Sequence, residues 1–229
     1  MTDEATLSSF RLADSFLPTG THTASYGLEQ FVQADRVTDA DDLRGLVVTY
    51  LQGQVGPSDL VALRAAHAGV LAEDLDSICD ADRQLLAVTL PTEFRESARS
   101  GGDRLLSLQR DIREDSLLDR YAGRIDAGDA PGTHAVVVGI TTARAGVDER
   151  DACLLYCHEF VTGLLGAAQR LLSLGHTDAQ RLLDALQSVM VDAVDDSADR
   201  SLAEMTSFTP LVDVLAADHE RAQRRLFVS

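Results

Sequence analysis

The sequence predicts an all-α fold, a single-domain bundle of roughly ten helices that spans residues 1–229. Apolar residues recur at intervals of three and four along most of the chain, which is the spacing of one helix face. No linker or internal repeat interrupts that pattern. Four of the five prolines also stand at predicted helix boundaries: Pro57, Pro91, Pro131 and Pro210.

The predicted helices of the first half follow from caps and prolines. Thr38, followed three residues later by Asp41, is typical of a helix start. The helix that follows presents one apolar face: Leu43, Leu46, Val47, Tyr50 and Leu51. Pro57 predicts the first turn of the next helix, where its missing N–H has little effect. Further helices are predicted over residues 73–90, 92–112 and about 115–125, followed by a loop over 126–134.

Residues 134–145 contain three consecutive valines, which favour a strand locally. No other segment offers a partner strand, and an isolated strand would leave its backbone N–H and C=O groups unpaired. We therefore predict a helix here as well.

The segment from residue 148 to residue 175 is apolar on most of its circumference, which is typical of a helix in the middle of a bundle. Gly175 is predicted to end this helix. Thr177 and Gln180 predict a capping box for the next helix, and Pro210 predicts the start of the last one.

The charge balance excludes several partners and reactions. The chain has 37 acidic and 20 basic residues, a formal charge of -17, and every base is an arginine. Such a chain repels nucleic acid and anionic membranes, so neither is an expected partner. Without lysine it has no P-loop, Schiff-base or kinase lysine, so it is not itself a standard P-loop GTPase or ATPase. The acidic excess predicts a halophilic protein adapted to molar salt.

The sequence also predicts a cytoplasmic protein. No apolar run approaches the roughly 18 residues that span a bilayer, and the amino terminus lacks the layout of a signal peptide. The three cysteines, Cys79, Cys153 and Cys157, are an odd and sparse set, which fits reduced thiols rather than a disulfide framework.

The opening stretch LADSFLPTGTHTASYGLEQFV, residues 12–32, combines groups that suggest chemistry. His22, Ser25 and Glu29 would share one face if this stretch forms a helix, as in a Ser-His-acid hydrolase. A triad also needs an oxyanion hole and a base between nucleophile and acid, which residues stacked on one helix rarely provide. We favour a corner between helices that Pro18 and Gly20 set.

A metal site is suggested by Cys153, Cys157 and His158, because residues four apart on a helix share a face. The alternative is that small cysteines fill a buried helix and that His158 is a hydrogen-bonded core histidine. Four other histidines show no metal-ligand spacing and are expected at the surface or in packing: His67, His134, His176 and His219.

Four arginines surround the Gly101–Gly102 pair: Arg95, Arg99, Arg104 and Arg110. A phosphate cradle would use arginines and a glycine turn of this kind. The alternative, which we favour, is a solvated helix face whose arginines pair with nearby acids: Glu93, Glu96 and Asp103.

Four stretches are spread in order over nearly the whole chain: LADSFLPTGTHTASYGLE, EFRESARSGGDRLL, AAQRLLSLGHTDAQRLL and PLVDVLAADHERAQRRLFVS. Together, at this spacing, they resemble the UreF family of urease accessory proteins. The resemblance implies an all-helical, non-enzymatic assembly factor that has no cofactor of its own and often dimerises. Such proteins bind UreD, also called UreH, and together recruit the GTPase UreG to apo-urease, where nickel is inserted.

The four stretches supply the candidate partner-binding residues. In the first, Pro18 and Gly20 would set a turn whose neighbours shape a helix face. In the last, Phe227 and the two residues before it are anchors of the kind that lose much affinity on truncation. The full set is Leu17, Pro18, Gly20, His22, Ser25, Tyr26, Gly27, Glu29, Arg95, Arg99, Gly102, Arg104, Arg170, Gly175, His219, Glu220, Arg225, Leu226 and Phe227.

Two alternatives to an adaptor in urease maturation stay open at this point. One is a direct nickel carrier with ligands among His22, Cys157 and His158. The other is a small-molecule hydrolase that uses His22 and Ser25.

Overall fold

Helices make up the regular structure of this computed structural model, which describes residues 2–14 and 26–220, the side chains of 216–220 excepted. In chain order they are α1 (Asp3–Leu12), α2 (Leu28–Gln33), α3 (Ala40–Tyr50), a π-helical segment (Leu51–Asp59), α4 (Leu60–Leu71), α5 (Leu75–Val88), α6 (Thr92–Ile112), α7 (Ser116–Asp126), α8 (His134–Arg144), α9 (Glu149–Leu171), α10 (His176–Ala185), α11 (Gln187–Ser197), a 3₁₀ turn (Leu202–Glu204) and α12 (Pro210–Glu220). No strand forms over the described ranges, so the predicted all-α fold is confirmed. None of these helices is both long and apolar enough to cross a membrane.

The π-helical segment joins α3 to α4 without a break, so the prediction that Pro57 begins a helix is wrong. A proline inside an α-helix removes a hydrogen bond and collides with the carbonyl four residues earlier. Here the wider π turns accommodate the ring, and that earlier carbonyl, on Gly53, accepts a hydrogen bond from the Phe208 N–H at 2.8 Å. The carbonyl of Pro57 accepts another from the Thr206 N–H at 3.1 Å. The segment before α12 therefore supplies a donor for the carbonyl group that loses one to the proline, and it forms a second hydrogen bond to the proline itself.

The cap of α3 is Asp39 rather than the predicted Thr38. The Asp39 carboxylate accepts hydrogen bonds from the N–H groups of Asp41 and Asp42, both at 3.0 Å. The Thr38 hydroxyl instead donates to the Asp42 carboxylate at 2.8 Å. A neighbouring aspartate thus takes the capping position because its carboxylate reaches two orphan N–H groups at once.

The junction between α9 and α10 also differs from the prediction. α9 ends at Leu171, and Gly175 is the cap residue of α10 rather than the end of α9. Thr177 therefore lies inside the first turn of α10, and its predicted capping box with Gln180 is wrong, because the cap is a glycine with no side chain to bond. Pro210 does begin the last described helix, as predicted.

Asp82 on α5 is fully buried, and its carboxylate accepts four hydrogen bonds. The donors are the N–H of Gly132 at 2.7 Å, the N–H and hydroxyl of Thr133 at 3.0 and 2.5 Å, and the hydroxyl of Tyr121 at 2.6 Å. One side chain therefore joins α5, α7 and the loop before α8. Because Thr133 is the cap residue of α8, the carboxylate also complements the positive end of that helix dipole.

α8 lies at the centre of the bundle and is buried at every position from His134 to Ala143. It packs against α4, α6 and α9. The prediction of a helix over residues 134–145, in spite of its three valines, is confirmed. A helix enclosed on all sides needs apolar residues all round, which is why its sequence shows no polar face.

Two glycines allow the close approach of helices to α8. A Cβ atom on Gly102 of α6 would lie 2.0 Å from the carbonyl oxygen of Gly132. A Cβ atom on Gly139 of α8 would lie 2.5 Å from the carbonyl oxygen of Leu63 on α4. Backbone atoms cannot swing aside as a flexible side chain can, so both positions require glycine.

Replacing Gly102 with alanine should lower the free energy of unfolding by about 2 kcal/mol or more, because the methyl group overlaps the Gly132 carbonyl. Gly123, exposed on α7, has no atom within 4 Å of its Cβ position. Gly123→Ala should therefore raise stability by about 0.5–1 kcal/mol, since alanine favours helix. Chemical denaturation followed by circular dichroism measures both changes. Equal free energies of unfolding for the two variants would contradict the close approach of Gly102 to the Gly132 carbonyl.

Asp82→Asn should lower the free energy of unfolding by about 3 kcal/mol or more, because an amide N–H₂ would face donors that need an acceptor. Asp103→Asn, an exposed change on α6, should stay within about 0.5 kcal/mol of the wild type. Urea denaturation compares the two variants. A loss below about 1 kcal/mol for Asp82→Asn would show that the four hydrogen bonds do not hold the loop.

Candidate functional site

Four aromatic rings meet where α2, α3, α6 and α9 come together: Tyr26, Tyr50, Phe94 and Phe160. We call this cluster the aromatic junction. The ring centroid of Tyr26 lies 4.8 Å from that of Phe160, 5.9 Å from that of Phe94 and 6.5 Å from that of Tyr50. Pairs at such separations stabilise by about 0.5–1.5 kcal/mol beyond their buried area. The junction thereby connects the first of the four sequence stretches to the second.

Tyr26 and Gly27 form the turn that starts α2. Their φ angles of 47° and 75° lie in the left-handed region, which glycine adopts freely and tyrosine rarely does. The Tyr50 hydroxyl donates a hydrogen bond to the Tyr26 carbonyl and so holds the strained residue in place. The turn is therefore fixed by the junction that it helps to build.

This turn rules out the helix on which the hydrolase alternative depends. α2 begins only at Leu28, directly after two left-handed residues. One α-helix therefore does not run from His22 to Glu29, and the expected alignment of His22, Ser25 and Glu29 on one helix face is wrong.

Two small adjoining cavities lie behind the aromatic junction, and both are lined by Tyr26, His134 and Tyr156. Asp59 on the π-helical segment lines the first, and Glu159 on α9 lines the second. The Tyr156 hydroxyl donates to the Asp59 carboxyl at 3.2 Å, and the His134 Nε2 lies 3.1 Å from both carboxylate oxygens of Glu159. We call the two together the buried polar cavity.

Burial changes the protonation of the buried polar cavity. Loss of water raises the pKa of Asp59 to about 7, against smaller opposing effects of the Tyr156 hydrogen bond and the His134 charge. Burial opposes the charging of His134, but the charge and hydrogen bond of Glu159 outweigh it and raise the pKa of His134. Burial also raises the pKa of Tyr156 well above its usual value, so that hydroxyl stays a donor. The cavity therefore holds one carboxyl group, that of Asp59, with a pKa of about 7.

Apolar side chains project into solvent at the start of α12. Phe208 is 75% exposed, Leu211 49% and Val214 59%, and we call this set the α12 face. Leu211 and Val214 lie three residues apart on one side of α12, and Phe208 lies in the segment that leads into the helix. α12 also contacts α2 and α6, and a groove lined by Phe31 and Leu46 runs beside its first turn. The α12 face is thus an uncovered apolar surface next to the aromatic junction.

A profile of the UreF family matches residues 37–187. The chain belongs to the UreF family. A protein of Trichodesmium erythraeum named urease accessory protein UreF is 33% identical over 223 residues, 97% of this chain and 96% of that protein. Urease accessory protein UreF 1 of Brucella melitensis is 33% identical over 219 residues, 96% of this chain and 90% of that protein. Urease accessory protein UreF of Yersinia enterocolitica is 32% identical over 217 residues, 95% of each.

In this UreF-family chain, the described residues of the first stretch are mostly buried. Gly27 is the cap of α2, and Glu29 is 2% exposed, with its carboxylate accepting a hydrogen bond from Gln33 Nε2 at 3.1 Å. These residues therefore orient α2 and Tyr26. The other candidates at the two ends lie outside the described residues: Leu17, Pro18, Gly20, His22, Ser25, Arg225, Leu226 and Phe227. His219 and Glu220 end α12, and their side chains lie outside the description.

The arginines of α6 do not form the phosphate cradle, because Gly101 and Gly102 lie inside an unbroken, buried stretch of helix. Arg95 donates to the carbonyls of Thr89 and Leu90, at 3.0 and 2.7 Å, and so closes the end of α5. Arg99 and Arg104 are exposed further along the helix.

Arg110 forms an ion pair with Asp119 on α7 at 2.8 Å, rather than with the acids predicted within α6.

The candidates of the third stretch lie apart from the aromatic junction. Arg170 is exposed ten residues after Phe160, so it lies about 15 Å further along the α9 axis. Gly175 is exposed at the start of α10. A role of Arg170 and Gly175 in partner binding stays a prediction. A partner bound there would contact a different part of the surface from the α12 face.

The direct nickel carrier has no assembled site in the described residues. Cys153 and Cys157 are 0% exposed, whereas His158 is exposed, so the prediction of a core histidine is wrong. Burial raises the pKa of Cys153 to about 12 and also raises that of Cys157, which disfavours the thiolate that binds metals. Over the described ranges, no group of three or more His, Cys, Asp or Glu could hold a metal ion.

Sequence reasoning missed the buried polar cavity. His134 appeared as one of several scattered histidines, yet it is 6% exposed and forms an ion pair with Glu159. The signal that was available is its position as the first residue of a buried helix, where a polar side chain needs a partner.

Replacing Asp59 with asparagine should remove the part of the pH dependence of the unfolding free energy that comes from the Asp59 carboxyl. The folded chain holds a proton on Asp59 up to about pH 7, whereas the ordinary pKa is 3.8. Between these values the folded state binds more protons, so this contribution to stability is full below the lower value and is lost as pH rises through the higher. The wild type should therefore lose stability relative to Asp59→Asn across that window, as urea denaturation over a pH series measures.

Asp42→Asn supplies a control of opposite sign. Hydrogen bonds from the backbone and side chain of Thr38 lower the pKa of Asp42, so its contribution is present above the ordinary pKa and is lost as pH falls. A pH-independent difference between the wild type and Asp59→Asn would contradict the shifted carboxyl.

Proposed function

We propose that this chain is a non-enzymatic adaptor of urease maturation. It acts with a UreD-like (UreH-like) protein to recruit a UreG-like GTPase to apo-urease, where nickel is inserted. Family membership supports the general role, and the finer assignment rests on the resemblance together with the surface described above. An adaptor of this kind needs docking surfaces and no catalytic centre.

The α12 face is the observation that carries the proposal. The three large apolar side chains of this face gain free energy when a partner removes them from water. The face lies on the helix that leads into residues 221–229, which include the candidate anchors Arg225, Leu226 and Phe227. Aromatic, apolar and arginine side chains together are the composition of interface centres.

The charge pattern supports the remaining parts of the proposal. A chain without lysine supplies no P-loop, so nucleotide hydrolysis belongs to a separate partner. We further propose that the 229 residues form one UreF-like domain, that it acts as a homodimer in the cytoplasm, and that its charge of -17 is an adaptation to high salt. At about 1 M salt the Debye length is about 3 Å, so partners are held by apolar and short hydrogen-bonded contacts.

Leu211→Glu should abolish the complex with a UreD-like protein, because it places a charge in the centre of the α12 face. Leu71→Glu is the matched control, since Leu71 is 71% exposed at the end of α4. Size exclusion with light scattering in about 2 M KCl, with and without the UreD-like and UreG-like proteins, measures complex formation. Unchanged circular dichroism confirms that each variant is folded.

Deletion of residues 219–229 should weaken the same complex. If Leu211→Glu and the truncated chain both bind as the wild type does, the α12 face is not the docking surface. If the wild type forms no complex at low or high salt, the adaptor role itself is contradicted.

A further inference from the structure

A surface cleft on the chain is lined by arginines and apolar residues, although acidic residues outnumber basic ones in the sequence. A cleft lies between α5, α6 and the loop that follows α7, and its walls include Arg83, Leu86, Arg99, Ile125 and Pro131. We call it the arginine cleft. No acidic side chain is among its described lining residues, although the chain has 37 acids and 20 bases. Both formal charges among these lining residues are positive, in a protein of charge -17.

The two guanidinium groups are held differently. Arg83 is fixed by a hydrogen bond to the Asp129 carbonyl at 2.5 Å and by an ion pair with Asp80 on its own helix. Arg99 is exposed and forms no ion pair with any described residue. A solvated surface arginine in an acidic protein ordinarily finds a carboxylate, so Arg99 keeps its planar pair of donors available.

The surroundings favour a carboxylate over a phosphate. Phosphate sites are built from free backbone N–H groups and helix N-termini. Here the nearby N–H groups of Gly132 and Thr133 already bond to Asp82, and the loop follows the carbonyl end of α7, which is the negative end of that helix. Arginine forks match a carboxylate in two hydrogen bonds, and they do so in contact, where salt screens little.

The apolar walls add a second requirement. Leu86, Ile125 and Pro131 are each half-buried beside the guanidinium groups, so an occupant must cover apolar surface as well as supply a negative charge. A peptide in which glutamate or aspartate alternates with a large apolar residue meets both requirements. A free small anion meets only one.

We propose that the arginine cleft docks an acidic peptide segment of a partner protein, with its carboxylate on Arg99 and Arg83 and its neighbouring apolar side chain on Leu86 and Ile125. This surface is separate from the α12 face, and its binding needs neither the UreD-like nor the UreG-like protein. It assigns Arg99 a role as a carboxylate anchor. Arg95 and Arg104 do not line the arginine cleft, so we expect no contact between them and the peptide.

The test uses the isolated full-length protein and a fluorescein-labelled peptide of alternating leucine and glutamate, followed by fluorescence anisotropy. Arg99→Gln should weaken binding about tenfold, because a charge-assisted hydrogen-bond pair is lost. Arg83→Gln should weaken it as well. Arg44→Gln, an exposed arginine on α3, should change binding by less than about twofold. A peptide with glutamine in place of glutamate should not bind.

Equal binding by the wild type and Arg99→Gln would overturn the proposal, as would equal binding of the glutamine peptide, which would mean apolar contact alone. Displacement of the peptide by an equal concentration of inorganic phosphate would also overturn it, in favour of a phosphate site. Leu211→Glu should bind the peptide normally, so the arginine cleft and the adaptor role can fail independently of each other.

Discussion

The buried carboxylate of Asp82 fixes the residue at which α8 begins. The position of the side chains that α8 contributes to the candidate site depends on that start. Its hydrogen bonds hold the two residues before the helix, so His134, the first helical residue, is carried into the buried polar cavity. The same contacts bring Gly132 against Gly102, which sets the separation of α6 from α8. A charge in the interior is tolerated because every donor it needs comes from groups that would otherwise be unpaired themselves.

The π-helical segment has a comparable role on the other side of the cavity. It places Asp59 at the cavity wall, and its Gly53 and Pro57 carbonyl groups accept hydrogen bonds from the chain just before α12. The helix that presents the α12 face is therefore attached by its backbone to the segment that carries the titrating carboxyl. Proline, which ordinarily ends a helix, here creates attachment points for a neighbouring segment.

The sequence was sufficient for the fold class and insufficient for the cavity, for physical reasons. Helix periodicity and the absence of a partner strand are local properties, so α8 was predicted correctly in spite of its valines. The error at Pro57 arose because its compensation comes from Phe208, far along the chain. Asp59 and His134 are also distant in sequence, and only packing brings them to one cavity, as it brings Arg83 and Arg99 to one cleft. The capping errors were of two other kinds: Asp39, next to the predicted Thr38, caps α3, and the cap of α10 is a glycine, which gives no side-chain signal.

The burial of the cysteines has a practical consequence for work on this protein. Cys79 is 1% exposed, and Cys153 and Cys157 are 0% exposed, with thiol pKa values raised by burial. Such thiols react slowly with maleimides and resist air oxidation. A cysteine introduced at an exposed position would therefore be the preferred target for a fluorophore or spin label without removal of the native ones. Amine-reactive reagents find no side-chain amine, because the chain contains no lysine.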